Sequence, residues 1–323
     1  MKLSLSLLVF FATFFLSIAL GAADTIIKDM WLALTTVKSQ EISLIREIRL
    51  PREIAAIFVG MALSVSGAIM QGLTRNPLAD PSMLGLTAGA NAALAITIAL
   101  IPSTNYFGIM VACFIGAAIG SILVFGIGVM KEGGFSPLRI VLAGTAVSAF
   151  LYAISEGVGI YFKISKDVSM WTAGGMIGTT WHQLRVIVPF IIMGVLLSLF
   201  LSRQLTILSL SEEIAVGLGQ KTVYIKFVLF LVIILLAGAS VALVGNMAFI
   251  GLMVPHIVRA NVGTDYRLII PFSAILGATF MLFADTLGRT INAPYETPFA
   301  AIVALIGLPF FLVIVHKGGN KFS

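Results

Sequence analysis

The sequence predicts an all-α, polytopic membrane protein with about ten transmembrane helices. Hydrophobic residues make up 59% of the chain and charged residues only 11%, against about 25% charged in an ordinary soluble domain. Mean hydropathy is +1.08. The apolar residues also fall in runs of about twenty, the length a helix needs to cross the hydrocarbon core. With so few polar side chains, 323 residues cannot cover a soluble globule.

The runs, read between charged or proline-rich breaks, are Leu3–Ala22, Ile54–Gly72, Leu84–Ile101, Phe107–Met130, Leu138–Phe162, Leu184–Leu201, Val223–Val244, Met247–Val258, Leu268–Leu287 and Phe299–Val315. The first has the look of a signal peptide, with Gly21-Ala22-Ala23 as a cleavage context. It is also long enough to span, and an uncleaved first helix is the favoured reading. Met247–Val258 is short for a crossing and is expected to be partly re-entrant, shielded by protein rather than lipid. Residues 1–323 read as one transmembrane domain with no soluble domain attached. The second and seventh runs end in small residues, Ser64–Ala68 and Ala237–Ser240, the residue type that lets membrane helices approach closely.

Charge sets the expected orientation. With the N-terminus in the cytoplasm, 11 Lys and Arg fall in inner loops and four in outer loops, leaving aside the near-neutral segment 24–53. That bias places both termini in the cytoplasm. The net charge of +6 therefore belongs to membrane orientation and not to nucleic-acid binding.

No chemistry of bond making is visible. A phosphate-cradling G-x-x-x-x-G-K-[ST] loop is missing; Gly219-Gln220-Lys221-Thr222 has glutamine where glycine must stand. Neither G-x-S-x-G nor H-E-x-x-H occurs, so no catalytic residue is assigned and the chain reads as a transporter subunit, not an enzyme. His182, His256 and His316 lack ligand spacing, and the lone Cys113 lies in an apolar run. No metal site and no cofactor are expected.

Three places carry possible function. Ser211 is a good N-cap with Glu212 and Glu213 in the first turn, and Gly217 and Gly219 stop that helix after about two turns. Within the loop of about 203–222, it reads either as a connecting helix or as a contact for a cytoplasmic partner. Arg49 and Arg52 stand at i and i+3 around Pro51, a first-turn residue. They read either as boundary arginines snorkelling to headgroups or as a docking patch for carboxylates. Glu156, and Asp285 with Arg289 at i+4, are ionisable residues at membrane depth. They leave open an ion-coupled secondary transporter, while Asp285–Arg289 equally suits a structural pair.

In order along the chain stand RLPR (49–52), SGAIMQ (66–71), NPLADPSMLGLTAGA (76–90), SEEIAVGLG (211–219), FIGLMVPHIVR (249–259), IIPFSAILGA (269–278) and ETPFAAIVALIGLPFF (296–311). From about Arg49 to Val315 the chain resembles the permeases of binding-protein-dependent ABC importers for iron-siderophores, haem and cobalamin, the FecCD/BtuC type. The resemblance implies a type II ABC importer architecture in a bacterial plasma membrane. It implies a cytoplasmic ATPase dimer that supplies the energy, a second permease subunit, identical or not, and an extracytoplasmic binding protein. By the same resemblance, Ser211, Glu212, Glu213, Ala215, Gly217, Leu218 and Gly219 form the helix coupled to the ATPase. Arg49, Arg52 and Arg289 meet acidic residues of the binding protein, and Asn76, Leu78 and Ser136 belong to the cytoplasmic gate. The substrate expected is an iron(III)-siderophore, with haem or cobalamin as the alternative.

Overall fold

The computed structural model describes residues 2–20, 45–129, 137–173, 176, 178–293 and 295–319. Among these the chain forms helices and no strand. In order they are α1 (Lys2–Ala19), α2 (Leu50–Thr74), α3 (Leu86–Leu100), α4 (Tyr106–Val129), α5 (Pro137–Tyr161), α6 (Ser165–Ala173), α7 (Trp181–Phe200), α8 (Ser202–Leu210), α9 (Glu212–Gly217), α10 (Thr222–Val244), α11 (Ile250–Val262), α12 (Tyr266–Thr290) and α13 (Phe299–Gly319). A wide helical turn at Ile45–Arg49 leads into α2, and a 3-10 turn at Pro81–Leu84 leads into α3.

Among the described residues, seven helices (α1, α2 with its leading turn, α4, α5, α7, α10 and α12) are long and apolar enough to cross a membrane. The apolar segments Leu86–Leu100, Ile250–Val262 and Phe299–Val313 are shorter. Together these are the ten segments the sequence predicts, with shifted ends. The second helix begins at Leu50 rather than Ile54, which puts Arg52 and Glu53 inside the helical rod. A hydropathy break cannot place that end, because both charges are neutralised by partners far away in sequence. The first helix ends at Ala19; Gly21–Ala23 lie outside the described residues.

The core is built around α2. Its small residues Ala55, Ala56, Ala62, Ser64, Ser66 and Ala68 are fully buried, so neighbouring backbones reach it without a layer of large side chains between. It crosses α12 at Gly60 and Gly277, where a Cβ on either glycine would run into the carbonyl oxygen of the other. The small residues Ala237, Gly238, Ala239 and Ser240 of α10 are buried as well, and α10 packs against both α2 and α4.

The chain breaks its helix between α10 and α11. Gly245 (φ 78°) and Phe249 (φ 68°) adopt left-handed backbone, and residues 245–249 lie outside any helix. Gly251, the second residue of α11, sits against Gly67: a Cβ on Gly67 would overlap the Gly251 backbone. Gly67 lies well inside α2, so α11 starts at depth and not at a membrane surface. This agrees with the expected shielding of this short segment by protein. Inside α11 the Gly251 carbonyl has no intrahelical donor, because the residue four positions on is Pro255, which lacks an N–H. Gln71 Nε2 donates to the carbonyls of Gly251 (3.2 Å) and Leu252 (3.1 Å). The connection after α2 comes to the same place. Asp80 caps the Pro81–Leu84 turn by accepting from Ser82 N at 2.8 Å, and a Cβ on Gly251 would lie 3.2 Å from its Oδ2.

Candidate functional site: a charged cluster and an exposed helix

The first turn of α2 carries Arg52 and Glu53, and the last two turns of α12 carry Asp285 and Arg289. Packing α2 against α12 brings the four together. Glu53 and Asp285 are fully buried and Arg289 is 5% exposed. Arg289 Nη2 donates to Glu53 Oε1 and to the Ser17 carbonyl, while its Nε lies 3.0 Å from Asp285 Oδ2. The other Glu53 oxygen accepts from Ser17 Oγ at 2.7 Å. Arg52 donates through Nε and Nη2 to Asp285 at 2.8–3.0 Å and through Nη1 to Glu296 at 2.8 and 3.0 Å. Arg49, half-buried, donates to the Ile18 carbonyl at 3.0 Å. The cluster thus ties α1, α2, α12 and the connection before α13 to one another. Charges this deep are tolerable only when paired and hydrogen-bonded, and each is.

The geometry revises two readings. Arg289 is a buried structural group here and is not presented to an outside partner, because Glu53, Asp285 and Ser17 surround it. Asp285 is the structural pair of Arg289 and also the seat of Arg52, so it is no free carboxylate facing a cavity. Of the expected docking set, Arg49 and Arg52 lie at the accessible edge, with the Arg52 side chain 11% exposed. Glu53, Glu296 and Ser17 are cluster members that sequence reasoning missed. An acid directly after Arg52 in the first turn of an apolar run is the only signal Glu53 gives.

The second feature is α9. Ser211 Oγ accepts from Ile214 N at 3.0 Å, the N-cap read from sequence. The helix ends as Gln220 N donates to the Ala215 carbonyl and Gly219 N to the Val216 carbonyl, with Gly219 at φ 78°. Ala215 is fully buried and anchors it. Ile214, Val216 and Leu218 are 48%, 57% and 65% exposed, and Glu213, Gly217 and Gly219 are exposed too. Lys226 Nζ donates to Glu212 Oε1 at 2.6 Å, fastening α9 to α10. That bond is the main reason the Glu212 carboxyl is held below its usual range. The preceding helix α8 is fixed at Thr206, whose Oγ1 donates to Asp265 at 3.2 Å and accepts from Tyr266 N at 2.9 Å.

Asn76 and Leu78 lie together just past the far end of α2, where Asn76 Oδ1 accepts from Leu78 N at 2.9 Å. Ser136 lies outside the described residues. Among the described residues, no three His, Cys, Asp or Glu side chains come together as a metal site.

A model of the FecCD transport family matches residues 7–317. The chain belongs to that family. It is 45% identical over 305 residues to the iron(3+)-hydroxamate import system permease protein FhuB of Bacillus subtilis, covering 94% of this chain and 79% of that one. It is 41% identical over 273 residues to the iron-uptake system permease protein FeuB of the same organism, covering 84% and 82%. Among solved structures, an inward-facing metal-chelate-type ABC transporter superposes with a TM-score of 0.85 at 26% identity, covering 97% of both chains. The FecCD chain is therefore a membrane-embedded permease of a metal-chelate-type ABC importer and is not itself an enzyme. A FecCD permease works with an ATPase and with permease partners.

Proposed function

We propose that this FecCD permease carries an iron(III)-siderophore complex of the hydroxamate class into the cytoplasm. The observation that carries the substrate is the 45% identity, across 94% of the chain, to an iron(3+)-hydroxamate permease. Both termini face the cytoplasm in this reading, consistent with the distribution of Lys and Arg. A binding protein delivers the chelate at the Arg49–Arg52 end. ATP binding by the partner ATPases moves α9, whose exposed Ile214, Val216 and Leu218 make the contact, and the Asn76–Leu78 turn opens on the cytoplasmic side. The chelate passes between two permease subunits. A small pocket bordered by Leu63, Asp80, Thr87, Val241 and Gly251 has only about 10 Å³, room for a single water at most, so the helix bundle there offers no chamber for a chelate.

The experiment is a gentle affinity purification of the tagged chain from its own membranes, followed by ATP-dependent uptake of radio-iron as a hydroxamate chelate, as ferric citrate or as haem in proteoliposomes. Recovery of an ATPase and a binding protein, with hydroxamate uptake fastest, is the expected result. Haem uptake exceeding hydroxamate uptake moves the substrate to haem. ATP-independent uptake by the chain alone overturns the importer mechanism.

A further inference from the structure

Every nitrogen of the Arg52 guanidinium is already engaged. Nε and Nη2 hold Asp285, and Nη1 holds Glu296 through both carboxylate oxygens. The six charged groups of the cluster also cancel: Arg49, Arg52 and Arg289 against Glu53, Asp285 and Glu296. Taken by itself, the cluster therefore offers an acidic protein no net positive charge. The three acids are not equivalent. Glu53 and Asp285 are fully buried, whereas the Glu296 side chain is 33% exposed. Glu296 lies in the connection between α12 and α13, outside either helix. Of the three, it alone can return to water without leaving a buried charge unpaired.

We propose that Glu296 is an internal stand-in for a carboxylate of the docking protein: it holds the outer edge of Arg52 while the site is empty and gives that edge up to an acidic side chain of the partner. This rests on the docking reading given under Proposed function. The physical sense is that Arg52 is nearly buried and Asp285 takes only its Nε and Nη2, so without Glu296 its Nη1 would lack a carboxylate, which is costly. A permanent acid in Glu296's place keeps that edge paired between docking events. Docking then exchanges one ion pair for another, so the charges contribute register more than affinity, and salt changes the balance little. Removing the Glu296 carboxylate turns the exchange into a net gain of one ion pair, which salt screens.

The test uses the assembled transporter in nanodiscs and the purified binding protein recovered with it, with Kd measured at low and physiological salt. Glu296→Gln is expected to tighten binding by about threefold or more at low salt, with a steeper loss on adding salt than wild type shows. The gain must vanish in an Arg52→Gln background, since the exchange takes place on Arg52. Binding equal to or weaker than wild type overturns the inference, and so does a gain that persists without Arg52, which is simple relief of repulsion. If Glu296→Gln does not assemble, Glu296→Asp, which draws the carboxylate back by one methylene, must bind tighter than wild type. A wild-type transporter that binds no such protein at either salt removes the docking reading itself, and this inference with it.

Discussion

Glu53 on α2 and Arg289 on α12, 236 residues apart in sequence, form a buried ion pair completed by the hydroxyl and the carbonyl of Ser17. Arg289→Ala removes the cation that Glu53 is paired with here and is expected to cost about 3–5 kcal/mol, whereas Glu53→Ala leaves Arg289 with Asp285 and should cost less; an apolar double replacement recovers most of the larger loss. Thermal unfolding of the detergent-solubilised chain checks both. A double variant no better than the worse single variant contradicts the pairing.

The docking reading makes a separate claim on Arg49 and Arg52. Arg49→Glu with Arg52→Glu is expected to weaken binding-protein association by at least tenfold, since like charges now face an acidic partner. Because Arg52 also seats Asp285, the double variant must first be shown to assemble with its ATPase. Unchanged association and unchanged uptake would defeat the claim.

On α9 the buried and exposed residues separate stability from coupling. Leu218→Asp changes a side chain that is 65% exposed, so stability is expected to stay within about 0.5 kcal/mol. ATPase recovery and uptake should both drop sharply. Ala215→Asp puts an unpaired charge into a fully buried position and should cost several kcal/mol, on the order of 3. Equal effects of the two variants on stability would show that α9 has no free working face.

The Glu212–Lys226 contact gives a pH prediction. Its folded carboxyl titrates below the ordinary value, so its contribution is fully present above that ordinary value. It is lost as pH falls through the lowered folded value. The carboxylate is substantially exposed, so the effect is modest and screened by salt. Glu212→Gln is expected to lower the neutral side of the α9–α10 stability profile modestly, read by hydrogen exchange in residues 211–226, and to leave the acid end unchanged, so that the slope between them flattens.

Gln71 holds the start of α11 by two side-chain bonds to carbonyls. Gln71→Leu strands the Gly251 carbonyl, whose intrahelical donor position is filled by Pro255, and should cost about 1–3 kcal/mol. The loss should appear as increased exchange around residues 245–255. A variant as protected there as wild type rules out that role.

The long helices were legible because a lipid-facing or buried span must be apolar throughout, and ten such runs are visible. The ends were less so. Leu50–Glu53 joins α2 because its charges are neutralised across the bundle, which local hydropathy cannot reveal. The helices α6 and α8 are too short and too polar to register as spans, and α8 is held by Thr206 meeting Asp265 about sixty residues away. Ser211 was readable as a cap because its partner is three residues on. The identities of the acids around Arg52 were not, since Asp285 and Glu296 are 233 and 244 residues distant. Shortness alone pointed to the break before α11; its anchor, Gln71, gave no local sign.

The two glycine crossings on α2 have a mechanical consequence. At Gly60–Gly277 and Gly67–Gly251 backbone rests on backbone, with no side-chain layer to deform and absorb sliding. Shear between these helices requires them to part first. On the importer reading proposed above, the trio α2, α11 and α12 is expected to move as a single stiff strut, leaving alternation between inward and outward access to the helices around it.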